Sequence, residues 1–201
     1  MKWGLGVKRM LDILGSALGL VFLWPIGILI CVIVRLDSKG APMIRLERVS
    51  LGRVIKIYKF RSMVVGAESM LDNLKDLNER KDGPYFKIKN DPRVTTVGRF
   101  LRKYRIDEVP QLINVLLGEM SLVGPRPYKP SEVAQYPAEY THLPRALSGM
   151  TGLSQISGSS SLSFQRTLEL DDEYLKNWSL GLDLKILLKT FLRIFSDRSA
   201  V

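Results

Sequence analysis

At 201 residues the chain is the size of one domain, long enough to bury a core and too short for two large ones. A formal charge of +10 beside 46% hydrophobic residues excludes a disordered chain and an ordinary soluble basic domain. It points to anionic partners: phospholipid headgroups, nucleotides or nucleic acid. A lone cysteine, Cys31, excludes an internal disulfide, and with one histidine, His142, there is no Cys/His zinc cluster and little scope for histidine acid-base chemistry.

Ile13 to Val34 is 22 positions without a formal charge, a helix of about 33 Å, long enough to cross a bilayer. Pro25, preceded by Trp24 and followed by Gly27, removes a hydrogen bond near its centre and forces a kink. Lys2, Lys8 and Arg9 precede the run and Arg35 and Lys39 follow it, so both ends suit one side of a membrane. The expectation is a re-entrant, hairpin-like helix pair broken at Trp24-Pro25; a straight transmembrane anchor is the alternative. No small-x-small cleavage site follows, and no small residue precedes Cys31, so cleaved and lipoprotein signals fit less well.

Met43–Val49 and Val54–Met63 alternate as strands around a turn containing Ser50 and Gly52, a short hairpin. On the second strand Lys59 and Arg61 face one way and Tyr58 and Phe60 the other, either a basic face for phosphate or an exposed charged face. Ala67, Met70, Leu71, Leu74 and Leu77 have helical spacing, which predicts an amphipathic packing helix over 66–80. Residues 81–91, with Gly83-Pro84 and Asn90-Asp91-Pro92, form a loop.

The most informative stretch runs from Arg99 to Pro127. Adjacent carboxylates, Asp107 and Glu108, precede Pro110, which is tolerated only in a helix's first turn. Leu112, Ile113, Leu116 and Leu117 follow with helical spacing up to a Gly118 stop. An acidic pair at a helix N-terminus is favoured in its ionised form, ready as nucleophile or metal ligand; an ordinary N-cap has the same spacing. Lys87, Lys89, Arg93, Arg99, Arg102, Lys103 and Arg105 are opposed only by Asp91, and Arg126 sits between Pro125 and Pro127. That excess suits a compact polyanion such as a diphosphate, or a solvated basic face.

Beyond Pro127 the chain is rich in proline, glycine and serine, and Ser157–Ser161 has the composition of a flexible linker. Leu180 to Phe195 is apolar with Lys185, Lys189 and Arg193 four residues apart. It suits a helix at an anionic membrane surface, or a core helix with one solvated face.

Together these pieces resemble the monotopic phosphoglycosyl transferases, the bacterial sugar transferase family. The matches are Lys8-Arg9 with Asp12, Asp37-Ser38-Lys39-Gly40, Tyr58 to Met63, Asp91-Pro92-Arg93, Val97 to Arg102, Asp107 to Leu112 and Gly118 to Pro127. Thr151-Gly152-Leu153, Ser157-Gly158, Leu170-Asp171 and Asn177-Trp178-Ser179 complete them. The resemblance implies an α+β fold: a re-entrant membrane helix and flanks over 1–39, and over 40–201 a small cytoplasmic catalytic domain with a short β-hairpin and amphipathic helices at the membrane surface. It implies transfer of a sugar 1-phosphate from a UDP-sugar to polyprenol (undecaprenyl) phosphate at the bacterial inner membrane. The first step is attack by Asp107, with Mg²⁺ bridging Asp107 and phosphate oxygens, and Glu108 orients the metal or takes a proton. Arg102 and Arg126 match positions near phosphate and nucleotide, with Pro125 and Pro127 beside Arg126; Lys59 and Arg61 are weaker candidates. The segment 157–161 is expected beside the site. Ser148, Ser154, Ser159, Ser160 and Gly181 depart from the family pattern, which bears on sugar specificity and membrane contact.

Membrane phospholipid is an expected partner, and exposed apolar surfaces permit a homodimer. A membrane-anchored scaffold or nucleic-acid binder is the rival class. With no base-stacking aromatics or binding motif, no nucleic-acid partner is expected.

Overall fold

Helix α1 (Lys2–Asp37) opens the fold and continues without interruption through Pro25. The structure, a computed structural model, describes residues 2–196; the side chains of residues 2, 3, 160 and 194–196, and so the expectations for Ser160 and Phe195, lie outside the described set. The helix pair expected on either side of Trp24-Pro25 is therefore one helix. Its cause is a stripe at positions 4, 8, 12, 16, 19, 23, 27, 30 and 34, turned toward the rest of the protein at helical spacing.

The stripe is polar or small through Gly19 and Gly27, with Leu23, Ile30 and Val34 apolar toward its end, while the outer face is apolar, unlike a soluble helix. Asp12 and Ser16 are buried, whereas Phe22 is 73% and Leu36 82% exposed. Gly15 and Gly19 let the backbone come close, since a Cβ there would lie 2.8 Å and 2.9 Å from the Leu122 and Leu112 side chains. Lys8 Nζ donates to the Val123 carbonyl at 2.9 Å and to Asp183 at 2.7 Å. Asp12 accepts from Ser121 Oγ and the Leu122 amide.

Strands β1 (Met43–Ser50) and β2 (Arg53–Phe60) pair antiparallel, Ser50 opposite Arg53. Leu51 and Gly52 both have positive φ, 53° and 70°, the two-residue turn that matches strand twist. The amphipathic helix expected over 66–80 is reduced to a six-residue 3-10 turn, Asp72–Leu77, with no buried residue. Met70 and Leu77 remain exposed. With Ala67 alone buried and Leu71 and Leu74 half-buried, the segment gains too little packing to sustain an α-helix.

Helices α2 (Thr96–Lys103) and α3 (Leu112–Leu117) pack between α1 and the hairpin. Ile30, Val34, Phe60 and Leu101 form one core, and Ile55, Ile57, Val115 and Met120 another. Buried Asn114 ties α3 to β2: its amide donates to the Lys56 carbonyl at 3.0 Å and its Oδ1 accepts from the Tyr58 amide at 3.0 Å. Strand β3 (Ser121–Val123) pairs in parallel with β4 (Gly149–Thr151), flanking the Pro-Arg-Pro loop. Short helices α4 (Pro130–Val133) and α5 (Leu153–Ser157) lead to α6 (Phe164–Lys176) and α7 (Leu180–Ser196). On α7 Ile186 and Asp183 are buried, while Leu184, Leu188, Phe191 and Leu192 are exposed beside Lys185 and Lys189.

Candidate active site

The acidic pair is presented by a sharp change of direction after α2. Arg105 adopts φ 56°, ψ 21°, a left-handed conformation that costs a non-glycine residue about 1–2 kcal/mol. The chain then enters a 3-10 turn, Ile106–Gln111, which holds Asp107, Glu108 and Pro110 and runs into α3, ended by Gly118 at φ 80°. The pair thus lies in the first turn of the expected helix. No side chain caps this turn, so Asp107 is not a simple N-cap.

Both carboxylates converge on Lys59, whose Nζ is 3.2 Å from Asp107 Oδ2 and 2.8 Å from Glu108 Oε1. Asp107 is buried and Glu108 half-buried. Burial, then the neighbouring Glu108 charge, raise the Asp107 carboxyl above its usual range against the pull of Lys59. For Glu108 burial acts upward, but Lys59, then Arg126 and Arg105, outweigh it and hold the group at about 2. Lys59 in turn is raised, its burial outweighed by Asp107 and Glu108. Two adjacent carboxylates therefore share one lysine while differing in proton affinity.

Arginines surround the pair. Arg102 approaches from α2, its Nε donating to Ser62 Oγ at 2.9 Å; burial depresses it against the attraction of Asp107 and Asp91. Arg126 reaches solvent while close to Glu108, and its side chain makes no ion pair within the described protein. Its position is fixed from below: its main-chain amide donates to buried Asp171 at 3.3 Å, as do Tyr128 OH at 3.0 Å and Ser154 Oγ at 2.7 Å. Pro125 is buried and accepts the Gly149 amide at 2.8 Å, and Pro127 is half-buried.

Other expected site residues are elsewhere. Arg61 is buried against the C-terminal end of α1, donating to the carbonyls of Ser38 at 2.7 Å, Lys39 at 2.8 Å and Val34 at 3.3 Å. It completes a helix terminus and does not join Lys59 at the pair. The basic cluster also divides: Arg93 is paired with Asp91 at 2.6 Å, and Arg99 and Lys103 are exposed. Trp24 and Pro25 are exposed on the outer face of α1.

The segment 157–161 does reach the site, since Arg105 donates to Ser159 Oγ at 3.1 Å. Two departures from the family pattern have structural partners: Ser154 bonds Asp171, and buried Ser148 donates to the Val49 carbonyl at 3.0 Å. Gly181 is exposed. Sequence reasoning missed Asp171 as the support of Arg126, and missed Arg48 on β1, which is half-buried and close enough to Arg126 and Glu108 to be shifted by both. Leu170-Asp171 was visible as a motif without a role; Arg48 is one cation in an ordinary strand pattern.

Among the described residues no group of three His, Cys, Asp or Glu side chains is placed to hold a metal. Asp107 and Glu108 nonetheless fit magnesium's habit of taking one or two carboxylates together with substrate phosphates.

A carboxylate pair sharing one lysine, with arginines around it and a long apolar helix packed on the same domain, is the candidate site. The chain belongs to the bacterial sugar transferase family, whose model matches residues 3–197. It is 42% identical over 188 residues to the UDP-galactose-lipid carrier transferase of Erwinia amylovora, covering 92% of this chain and 39% of that one. It is 41% identical over 191 residues to the undecaprenyl-phosphate galactose phosphotransferase of Salmonella typhimurium, with 92% and 39% covered. The exopolysaccharide production protein ExoY of Rhizobium meliloti is 36% identical over 197 residues, with 96% and 87% covered. The chain spans about two-fifths of the length of the first two relatives and most of the third.

Proposed function

We propose that the protein transfers a sugar 1-phosphate from a UDP-sugar to a polyprenol phosphate, a membrane step of bacterial exopolysaccharide, capsule or related glycan assembly. The observation that carries this reading is the Asp107–Glu108 pair on Lys59, facing Arg126. Asp107 Oδ attacks the β-phosphorus of the donor; the bond from that phosphorus to the bridging oxygen breaks, and uridine monophosphate leaves with its electron pair. A phosphate oxygen of the polyprenol phosphate then attacks the same phosphorus, displacing Asp107 and forming a polyprenyl diphosphate sugar. The burial that raises Asp107's proton affinity also makes its ionised form the better nucleophile.

Glu108, held at about 2, is a weak base and fits the task of fixing Lys59 against Asp107 better than that of removing a proton. Arg102 and Arg126 offset the donor's negative charge. Mg²⁺ held by Asp107, with Glu108 beside it, would supply further neutralisation of the phosphate oxygens.

The acceptor's chain stays in lipid, so the site must stand at headgroup level. Helix α1 supports this: it is 11% buried over its most apolar window, yet bonded to the domain near its start through Lys8 and Asp12 and near its end through Val34. A helix fastened along its length suits insertion from one side, in one leaflet, better than a crossing. Exposed Phe100, Leu117, Leu188 and Phe191 extend the apolar surface onto α2, α3 and α7. We place the catalytic domain on the cytoplasmic face, where nucleotide sugars are made.

The test is release of uridine monophosphate by detergent-purified protein with Mg²⁺, polyprenol phosphate and a panel of UDP-sugars, beside Asp107→Asn. Release with one sugar, lost in the variant, is expected. Full turnover by Asp107→Asn would overturn the covalent route.

A further inference from the structure

Arg48 stands outside every motif that carries the family likeness, and among the described residues its guanidinium makes no direct ion pair. The Val49 amide donates to the Tyr128 carbonyl at 2.9 Å, which fastens β1 beside the loop that carries Arg126. Arg48 is half-buried there, and its recorded hydrogen bond is from Nη1 to the carbonyl of neighbouring Glu47 at 2.6 Å. Neither Arg48 nor Arg126 forms an ion pair with a carboxylate among the described residues. The Val49–Tyr128 bridge sets Arg48 on the strand next to the Arg126 loop, and burial and then the charge of Arg126 depress Arg48 against the opposing pull of Glu132, Glu108 and Glu68. Glu132, which acts on both from a distance, is engaged by the Lys129 amide at 2.9 Å.

Glu108, already shared with Lys59, is one carboxylate facing two guanidinium groups, so the cluster keeps a positive excess that an anionic ligand would offset. Guanidinium forks match the oxygens of a phosphoryl group, which each can engage through two N–H donors.

We propose that Arg48 joins Arg126 in a second phosphate site beside Glu108, distinct from the phosphorus attacked by Asp107. This deepens the transferase reading and rests on it for the identity of the ligand. Two phosphoryl groups have the right chemistry: the α-phosphate of the departing nucleotide and the phosphate of the polyprenol acceptor. Arg102, on the Asp107 side, is left to the transferred phosphoryl group.

The experiment uses the full chain in detergent with Mg²⁺ and compares wild type, Arg48→Gln, Arg48→Lys and, as a control on the same strand, exposed Arg45→Gln. Three quantities are read: affinity for uridine monophosphate, formation of the phosphosugar adduct from labelled donor alone, and discharge of that adduct by polyprenol phosphate. If the nucleotide phosphate occupies the site, Arg48→Gln weakens uridine monophosphate binding by about tenfold or more and slows adduct formation, with discharge unchanged. If the acceptor phosphate occupies it, binding and adduct formation hold and discharge slows by a similar factor. Arg48→Lys keeps the charge without the fork; it gives a smaller loss in the same step and carries the test should the neutral variant not fold. All three quantities unchanged in a folded Arg48 variant would overturn the proposal, as would an equal loss in Arg45→Gln. Wild-type protein that binds uridine monophosphate through Arg48 but forms no adduct would leave the anion site standing and remove the transferase reading.

Discussion

Replacing Lys59 by Met probes the charge arrangement on which the proposed chemistry depends. Its ammonium is 3.2 Å from Asp107 and 2.8 Å from Glu108, with 18% of its side chain exposed. At an effective dielectric of about 20, a charge pair at such distances is worth about 5 kcal/mol for each carboxylate. Desolvation of the lysine takes back several kcal/mol, which leaves a net loss of about 3 kcal/mol on removal. The protein escapes part of that cost by binding a proton between the two carboxyl groups, so about 3 kcal/mol becomes a rise of about two units in the pair's apparent pKa. Asp107 must be ionised to attack. The acid limb of adduct formation should therefore move toward neutral pH by one to two units, on the order of that pKa rise, while the alkaline plateau is retained in part. The assay is the pH profile of adduct formation from labelled UDP-sugar without acceptor, with folding checked by circular dichroism. A folded Lys59→Met protein with an unmoved acid limb would refute the assigned role of Lys59.

Asp171, raised to about 6 by burial against the opposing hydrogen bonds of Ser154 and Tyr128, binds its proton more tightly folded than unfolded. Its stabilisation is full below about pH 4 and lost as pH rises through about 6, a change of about 3 kcal/mol; chemical denaturation should show that slope in wild type and a flatter one in Asp171→Asn. Gly98→Ala should destabilise by about 1–3 kcal/mol and lower kcat/KM, because a Cβ there collides with the Ser62 carbonyl and displaces α2 with Arg102; an unchanged melting temperature would contradict that packing. Arg61→Gln should cost about 2–4 kcal/mol of stability by stripping the carbonyls at the end of α1, while KM for the donor in the folded fraction stays the same. A raised KM without lost stability would return Arg61 to the site.

Much of the site was legible because its signals are local. Pro110 behind Asp107-Glu108 and Gly118 after Leu117 marked the turn and its helix, and the alternation along β2 put Lys59 on one face. Alternation alone could not separate Lys59 from Arg61, which share that face: the first meets the carboxylates and the second the end of α1. Asp171 under Arg126 and Arg48 beside it were not legible, since both are brought there by long-range contacts, α6 packed on α5 with Asp171 bonded to Ser154 and Tyr128, and Val49 paired with Tyr128. The break expected at Trp24-Pro25, which the continuous α1 does not show, failed for a related reason. Proline marks the loss of one hydrogen bond, but the polar stripe through Lys8, Asp12 and Ser16 that fastens the helix to the domain has meaning only once Ser121 and Asp183 are in place. The spacing over 66–80 was real, yet only Ala67 of its apolar positions is buried, while Met70 and Leu77 stay exposed.

The measurement that tests the covalent route most directly is mass spectrometry of the protein quenched after exposure to its UDP-sugar without polyprenol phosphate. The expected result is a mass gain of one sugar phosphate on the peptide carrying Asp107, released on adding acceptor and missing in Asp107→Asn. Turnover with no adduct, or an adduct on a different residue, would contradict it.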